Sequence, residues 1–342
     1  MSEFVTLDEI REAKERIAGV AVRTPLYRVE RARLRLGKFP EPDFDLYIKA
    51  ESEQPIRSFK LRGAYNMVSQ LSPDALHRGV ITYSSGNHAQ GVAYAARALG
   101  AKAVIVMPNN APEVKKAATR ALGAEIVEVG PASSERRLKA EELVAKHGYA
   151  MIPPYDAPQI IAGQATCGLE IVEQLPGVEL VISPVSGGGL LSGIATAVKL
   201  AAQAGLADPN VKVWGAEPEL AADAKESFYS KTLVEWPAAK TTRTIGDGLR
   251  TQSLGVLNFH HVLRFVDGIV TVTEEEILAA MRVMLGATKL VPEPSGAVTL
   301  AAALFHAEEL PKARKVAVVL SGGNLEPALR EQLEGEMAAT RA

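Results

Sequence analysis

Ser58-Phe59-Lys60-Leu61-Arg62-Gly63-Ala64 is the stretch from which the rest of the chain is read. It sets a lysine near the start of a helical pattern, since Ala64, Met67, Val68 and Leu71 fall on one helix face. Three other small-residue clusters follow β-rich apolar runs and precede helical patterns. They are Ser84-Ser85-Gly86-Asn87-His88, Ser186-Gly187-Gly188-Gly189-Leu190-Leu191 and Ser321-Gly322-Gly323-Asn324. Outward from them the chain alternates. Strands are expected at 46–48, 80–83, 103–107, 125–129, 180–185, 211–215, 270–273 and 316–320. Helices are expected over 87–99, 112–122, 133–147 and 190–202, with another opening at Glu274-Glu275-Glu276 and an N-terminal one at the capping box Thr6-Leu7-Asp8-Glu9. Strand, crossover helix and strand in this rhythm predict an α/β fold with parallel sheet.

At 342 residues, two domains are expected, given roughly 100–200 residues per domain. Hydrophobic residues make up 47%, the formal net charge is -2, and opposite charges are mixed throughout. No face is announced for nucleic acid or membrane. The single cysteine, Cys167, has no disulfide partner in the chain and no neighbouring zinc ligands, so it reads as a small residue in a packed helix. Met1-Ser2-Glu3 leads straight toward a helix start without a basic-then-apolar leader, and no apolar run nears the roughly 20 residues of a membrane span. A soluble, cytoplasmic protein is expected.

A lysine amine, an anion-sized glycine turn and two serine-rich turns are what a pyridoxal phosphate pocket needs. The amine condenses with the aldehyde as a Schiff base. The glycines bare backbone N–H groups at a helix start, where a phosphate sits well. A dinucleotide turn is the competing reading, but Gly187 and Gly189 would require a third glycine at 192, which is Ser192. The ATP-type loop is excluded because no Gly-Lys-Ser/Thr tail follows.

Together the four motifs resemble the fold-type II pyridoxal phosphate enzymes, in the serine/threonine dehydratase and serine racemase family. The resemblance runs from about Thr6 to Leu329. It implies a tryptophan synthase β-like fold of two open, twisted, mostly parallel sheets flanked by helices. A small domain, 79–156, would be inserted into a large one made of 1–78 and 157–342, with no C-terminal regulatory domain. Lys60 would be the Schiff-base lysine, its pKa lowered by burial and by cationic Arg62, with Phe59 against the cofactor ring. Gly187, Gly188, Gly189 and Leu190 would hold the phosphate, and Asn87 the ring hydroxyl. Ser321 would face the pyridine nitrogen, and Glu293 would lie near the cofactor. Backbone groups of Ser84 to His88 would grip the substrate carboxylate. Ser85 matches the serine that exchanges the second proton in racemases and stands by in dehydratases; an N-cap role fits Ser85 or Asn87 equally.

The resemblance further implies that Arg136 points toward the substrate carboxylate, against a plain reading as a solvated helix face. Glu217, Asp223 and the Ala221 carbonyl match a divalent-metal site, and that oxygen set suits magnesium or calcium. Arg57 stands where the racemases carry a glycine; pointing inward, it would recruit a second carboxylate, and a solvent-facing orientation fits equally. The expected activity is ammonia-lyase action on L-threonine and L-serine. Serine racemase and 3-hydroxyaspartate ammonia-lyase are alternatives, as are a β-replacement synthase and a non-catalytic pyridoxal phosphate or amino-acid-binding protein. A small amino-acid substrate and a homodimer are the implied partners.

Overall fold

Ten strands and fourteen α-helices occur among the residues that the structure, a computed structural model, describes: 3–30, 33–34, 42–84, 86–111, 113–130 and 133–339. The strands are β1 (Leu26–Val29), β2 (Asp45–Ala50), β3 (Val80–Tyr83), β4 (Ala103–Pro108), β5 (Glu125–Val129), β6 (Ala150–Met151), β7 (Leu180–Pro184), β8 (Lys212–Pro218), β9 (Gly268–Val272) and β10 (Lys315–Leu320). The helices are α1 (Leu7–Arg16), α2 (Lys60–Val68), α3 (Pro73–Arg78), α4 (Asn87–Ala98), α5 (Glu113–Ala121), α6 (Ser133–His147) and α7 (Pro158–Gln174). They continue with α8 (Gly189–Gln203), α9 (Asp223–Ser230), α10 (Ala238–Thr241), α11 (Val256–Phe265), α12 (Glu274–Ala287), α13 (Pro294–Phe305) and α14 (Pro327–Ala339).

The larger sheet runs β1-β2-β10-β7-β8-β9, and only the edge strand β1 is antiparallel to its neighbour. The smaller sheet, β5-β4-β3-β6, is parallel throughout and is drawn from residues 80–151. This is the expected α/β class. Parallel strands covered on both faces carry continuous apolar runs, as β4 and β7 do. Successive side chains still serve opposite faces: Ala317 and Val319 of β10 pack with α7 and α8, whereas Val316, Val318 and Leu320 pack with α12 and α13.

Helix α2, which begins at Lys60, packs on both α4 and α7. Its contact with α7 is a backbone approach, because a Cβ on Gly163 would lie 2.6 Å from the Gly63 Cα. Beneath α2 is a buried, charge-balanced network of Lys49, Glu51, Arg62 and Glu170. Arg62 donates to Glu51 from Nε and Nη2, both at 2.8 Å, and to Glu170 from Nη1 and Nη2 at 2.7 and 2.9 Å. Lys49 donates to Glu170 at 2.5 Å and to the Thr24 carbonyl at 2.7 Å. Burial pushes the Glu51 carboxyl up, but Arg62 overrides it and holds the group at about 2.

Candidate active site

Four clusters from the sequence sit at the carboxyl ends of parallel strands: Ser84–His88 after β3, the glycine turn after β7, Glu217 to Asp223 at the end of β8, and Ser321 after β10. Ligands of open parallel sheets bind at such ends. The segment carrying Lys60 is stitched to the last cluster: Phe59 N donates to the Ser321 carbonyl at 3.1 Å, Gly323 N to the Arg57 carbonyl at 2.9 Å, and Ser58 bridges Gly322.

Lys60 Nζ donates to the Pro154 carbonyl at 2.7 Å and lies 5.2 Å from the centre of the Phe59 ring. Burial lowers its pKa to about 8. Arg62 does not share in this, contrary to expectation: its charge is taken up by Glu51 and Glu170, and burial alone accounts for the shift. His88 is buried nearby, with Nε2 3.0 Å from the Ile152 carbonyl. Burial, aided by the Lys60 charge, depresses it to about 3, so its imidazole is neutral. Arg57 is exposed rather than inward, and its backbone is left-handed at φ 59°. A glycine at this position fits that geometry without strain.

The glycine turn opens α8, a 15-residue helix capped by Gly188 at φ 93°. A Cβ on Gly187 would lie 2.5 Å from the Tyr155 ring, and one on Gly188 2.8 Å from Asn258 Cβ. The turn is therefore a bare-backbone cradle, which fits a phosphate held at residues 187–190. Its orientation is set by groups that the sequence did not single out. The Gly187 carbonyl accepts from Asn258 Nδ2 at 2.8 Å and from Gly255 N at 3.0 Å, so it is turned away from the cradle. Asp156 fixes the start of α11 by accepting from Val256 N and Asn258 N at 3.0 and 3.2 Å. Tyr155 is driven to about 12 by burial, with Tyr83, Asp156 and Asp223 adding to the effect. One sequence signal for Pro154, Tyr155 and Asp156 exists: they follow β6, another parallel strand, at its carboxyl end.

Asn87, the first residue of α4, meets Glu293 and Asn324. Its Nδ2 donates to Glu293 Oε1 at 2.7 Å, and its Oδ1 accepts from Asn324 Nδ2 at 2.7 Å. Burial first, then Asp247, raises Glu293 to about 7, with Asn87 and Lys115 opposing. Lys115 reaches Asp247 from α5, a helix of the segment that forms the smaller sheet. Ser84 Oγ accepts from Gly86 N at 3.3 Å. Ser85 lies outside the described residues. Arg136, on α6, is half-buried, and the ring of Tyr83 at the end of β3 is near enough to act on its charge.

Glu217 and Asp223 are buried together, and Glu217 Oε1 accepts from Lys225 N at 2.7 Å. Burial raises both carboxyls, and the Asp223 charge raises Glu217 further. Asp223 Oδ2 is buried without a hydrogen-bond partner, an arrangement that suits a hard cation beside it. Among the described residues, no three His, Cys, Asp or Glu side chains cluster, and the buried Ala221 lies between the two carboxylates in sequence, at the turn that joins β8 to α9.

A lysine, a glycine cradle and serine-rich turns at the ends of a parallel sheet define a fold-type II pyridoxal phosphate enzyme. Residues 17–322 match the family described as pyridoxal-phosphate dependent enzyme, and the chain belongs to that family. It is 39% identical over 321 residues to the L-threo-3-hydroxyaspartate ammonia-lyase of Saccharomyces cerevisiae, covering 94% of each chain. It is 36% identical to the serine racemase of Schizosaccharomyces pombe, again covering 94% of each. Among solved structures it resembles the processed form of threonine deaminase isoform 2 from Solanum lycopersicum, with 37% identity, a TM-score of 0.85, and 99% and 96% of the two chains covered. No described helix is long and apolar enough to cross a membrane.

Proposed function

We propose that this chain removes water and then ammonia from small β-hydroxy amino acids, L-threonine and L-serine first, to give 2-oxobutyrate or pyruvate. The observation that carries the reading is Lys60, an amine brought to about 8 whose Nζ bonds the Pro154 carbonyl, next to the Tyr155 ring that lies against the bare-backbone glycine cradle. Pyridoxal phosphate, when bound, supplies an electron sink for charge developing at the substrate Cα. Lys60 would hold the cofactor, and its Nζ would take the α-proton; a base near 8 suits that work at neutral pH. The β-hydroxyl leaves with a proton as water, and water later replaces the nitrogen as ammonia departs.

Residues 187–190 hold the phosphate, Phe59 covers the ring, and Asn87 binds the ring oxygen, with Glu293 supporting it. Ser321 presents a hydroxyl to the ring nitrogen, which favours prompt loss of a β-leaving group over transamination. Backbone N–H groups of residues 84–88 and the Arg136 guanidinium take the substrate carboxylate. Glu217, Asp223 and the Ala221 carbonyl hold magnesium or calcium, supported by the orphaned Asp223 oxygen. Residues 79–156 act as a small domain that closes on the rest and excludes water. A homodimer and a cytoplasmic setting belong to the same reading and rest on the resemblance.

The test offers L-threonine, L-serine, D-serine and the 3-hydroxyaspartates separately to the purified protein with pyridoxal phosphate and magnesium. Release of 2-oxo acid and ammonia is followed, together with the chirality of recovered serine. Fast release from threonine or serine with little D-serine is expected. Dominant D-serine, or turnover confined to hydroxyaspartate, overturns the proposal.

A further inference from the structure

The hydrogen bonds around Asn87 form a directed chain with a fixed starting point. Amide oxygen and nitrogen are assigned from their partners, so one partner of known polarity settles a whole row. That partner is the main-chain carbonyl of Ile56, which only accepts. It lies 3.0 Å from Asn324, so the facing atom is Nδ2. The second hydrogen of Nδ2 goes to Asn87, whose facing atom must then be Oδ1. Asn87 is thereby obliged to turn its own Nδ2 toward Glu293. One hydrogen of that nitrogen is spent on Glu293, and the other has no acceptor among the described residues. The row is closed from behind, because Glu293 N donates to the Gly322 carbonyl at 3.1 Å, in the same turn that carries Asn324.

We propose that Asn324 and Glu293 are positioning residues that lock the Asn87 amide, so that it offers an N–H donor, and never its carbonyl, to the phenolic oxygen of the bound cofactor. The proposal rests on the reading that Asn87 serves that oxygen. A donor there stabilises the ionised oxygen, whereas a flipped amide would place an acceptor against it. Two residues far apart in sequence, neither a donor to the cofactor in this scheme, thus set the charge state of the ring that performs the chemistry.

The experiment compares cofactor-loaded wild type with Asn324→Ala, Asn324→Asp, Glu293→Leu and Glu293→Gln, using Asn87→Ala as reference. Three quantities are read: the ratio of visible to near-ultraviolet absorbance of the bound cofactor, the cofactor Kd by dialysis, and the melting temperature of the cofactor-free protein. Asn324→Ala, Asn324→Asp and Glu293→Leu are expected to move the absorbance ratio in the same direction as Asn87→Ala. They should also weaken cofactor binding about tenfold, the scale of one well-placed hydrogen bond. Glu293→Gln keeps an accepting oxygen and should stay within about twofold of wild type. Should the aspartate form fail to fold, the alanine form carries the test. A fall in melting temperature with unchanged ratio and Kd marks a purely structural role and overturns the proposal. Unchanged ratio and Kd in the Asn324 variants, while Asn87→Ala alters both, overturns the relay and leaves the role of Asn87 standing. If Asn87→Ala alters neither, the role of Asn87 falls and the relay with it.

Discussion

Replacing Arg62 with methionine should both weaken the fold and introduce a loss of stability as pH rises. Arg62 is fully buried and holds two buried carboxylates, Glu51 and Glu170. Lys49 remains paired with Glu170 at 2.5 Å, while Glu51 loses its paired cation and keeps the neutral donors Thr24 Oγ1 at 2.6 Å and Gln54 Nε2 at 3.2 Å. Keeping its carboxyl at about 2 rather than 4.5 corresponds to about 3 kcal/mol of native stability. Breaking a buried pair by removing one partner costs about 3–5 kcal/mol, which agrees. In the wild type the Glu51 contribution is present above its unfolded value and is lost only as pH falls toward about 2, so between about pH 5 and 8 this group adds no slope. Without Arg62, burial lifts the folded value above the unfolded one. The variant's stability is then greatest in acid and declines as pH rises through that new value. Denaturant midpoints of cofactor-free protein across that range read both effects. A loss below about 1 kcal/mol, or one that does not vary with pH, would refute the reasoning.

Lys60→Ala should bind cofactor without the visible band of the lysine adduct and lose turnover; normal activity sinks the mechanism. In the wild type, condensation of cofactor with Lys60 should rise about tenfold per pH unit and level off above about 8, whereas a plateau only near 10 places the amine in water. Arg57→Gly should stabilise the fold by about 0.5–1 kcal/mol, because left-handed backbone costs a side chain about 1–2 kcal/mol and glycine entropy returns part of it. A lower melting temperature would show that the arginine side chain contributes more than this. Asp223→Ala should abolish stabilisation and stimulation by magnesium, and an unchanged magnesium response rejects the cation site.

The four motifs were legible because each is local: a strand end, a few small residues and a helix start, adjacent in sequence. Lys60 indeed begins α2. What holds those motifs in place was not legible. No local pattern singles out Glu51 or Glu170, and only folding brings them to Arg62, 11 and 108 residues away. Asn258 steadies Gly187 across 71 residues, and Asp156 caps α11 across about 100. Helices α7 and α13 are buried nearly all round, so neither has an apolar stripe to announce it. Arg57 was noticed as a missing glycine, but the reason, its left-handed backbone, lies in the turn's geometry.

Strand β10 is the last of the ten to be synthesised, yet it sits in the middle of the larger sheet, between β2 and β7. Its residue Val318 faces both Ile48 and Ile182, partners that lie far earlier in the chain. At roughly 5–20 residues per second, a ribosome takes tens of seconds to travel from β2 to β10. Until β10 arrives, β2, and β7 once it has been made, each present an unpaired edge, the kind of edge that recruits other strands. Such long-range pairing also slows folding once the chain is free. Lys60 therefore exists long before it has a pocket, and a chain ending short of β10 carries the reactive lysine without the turn that frames it.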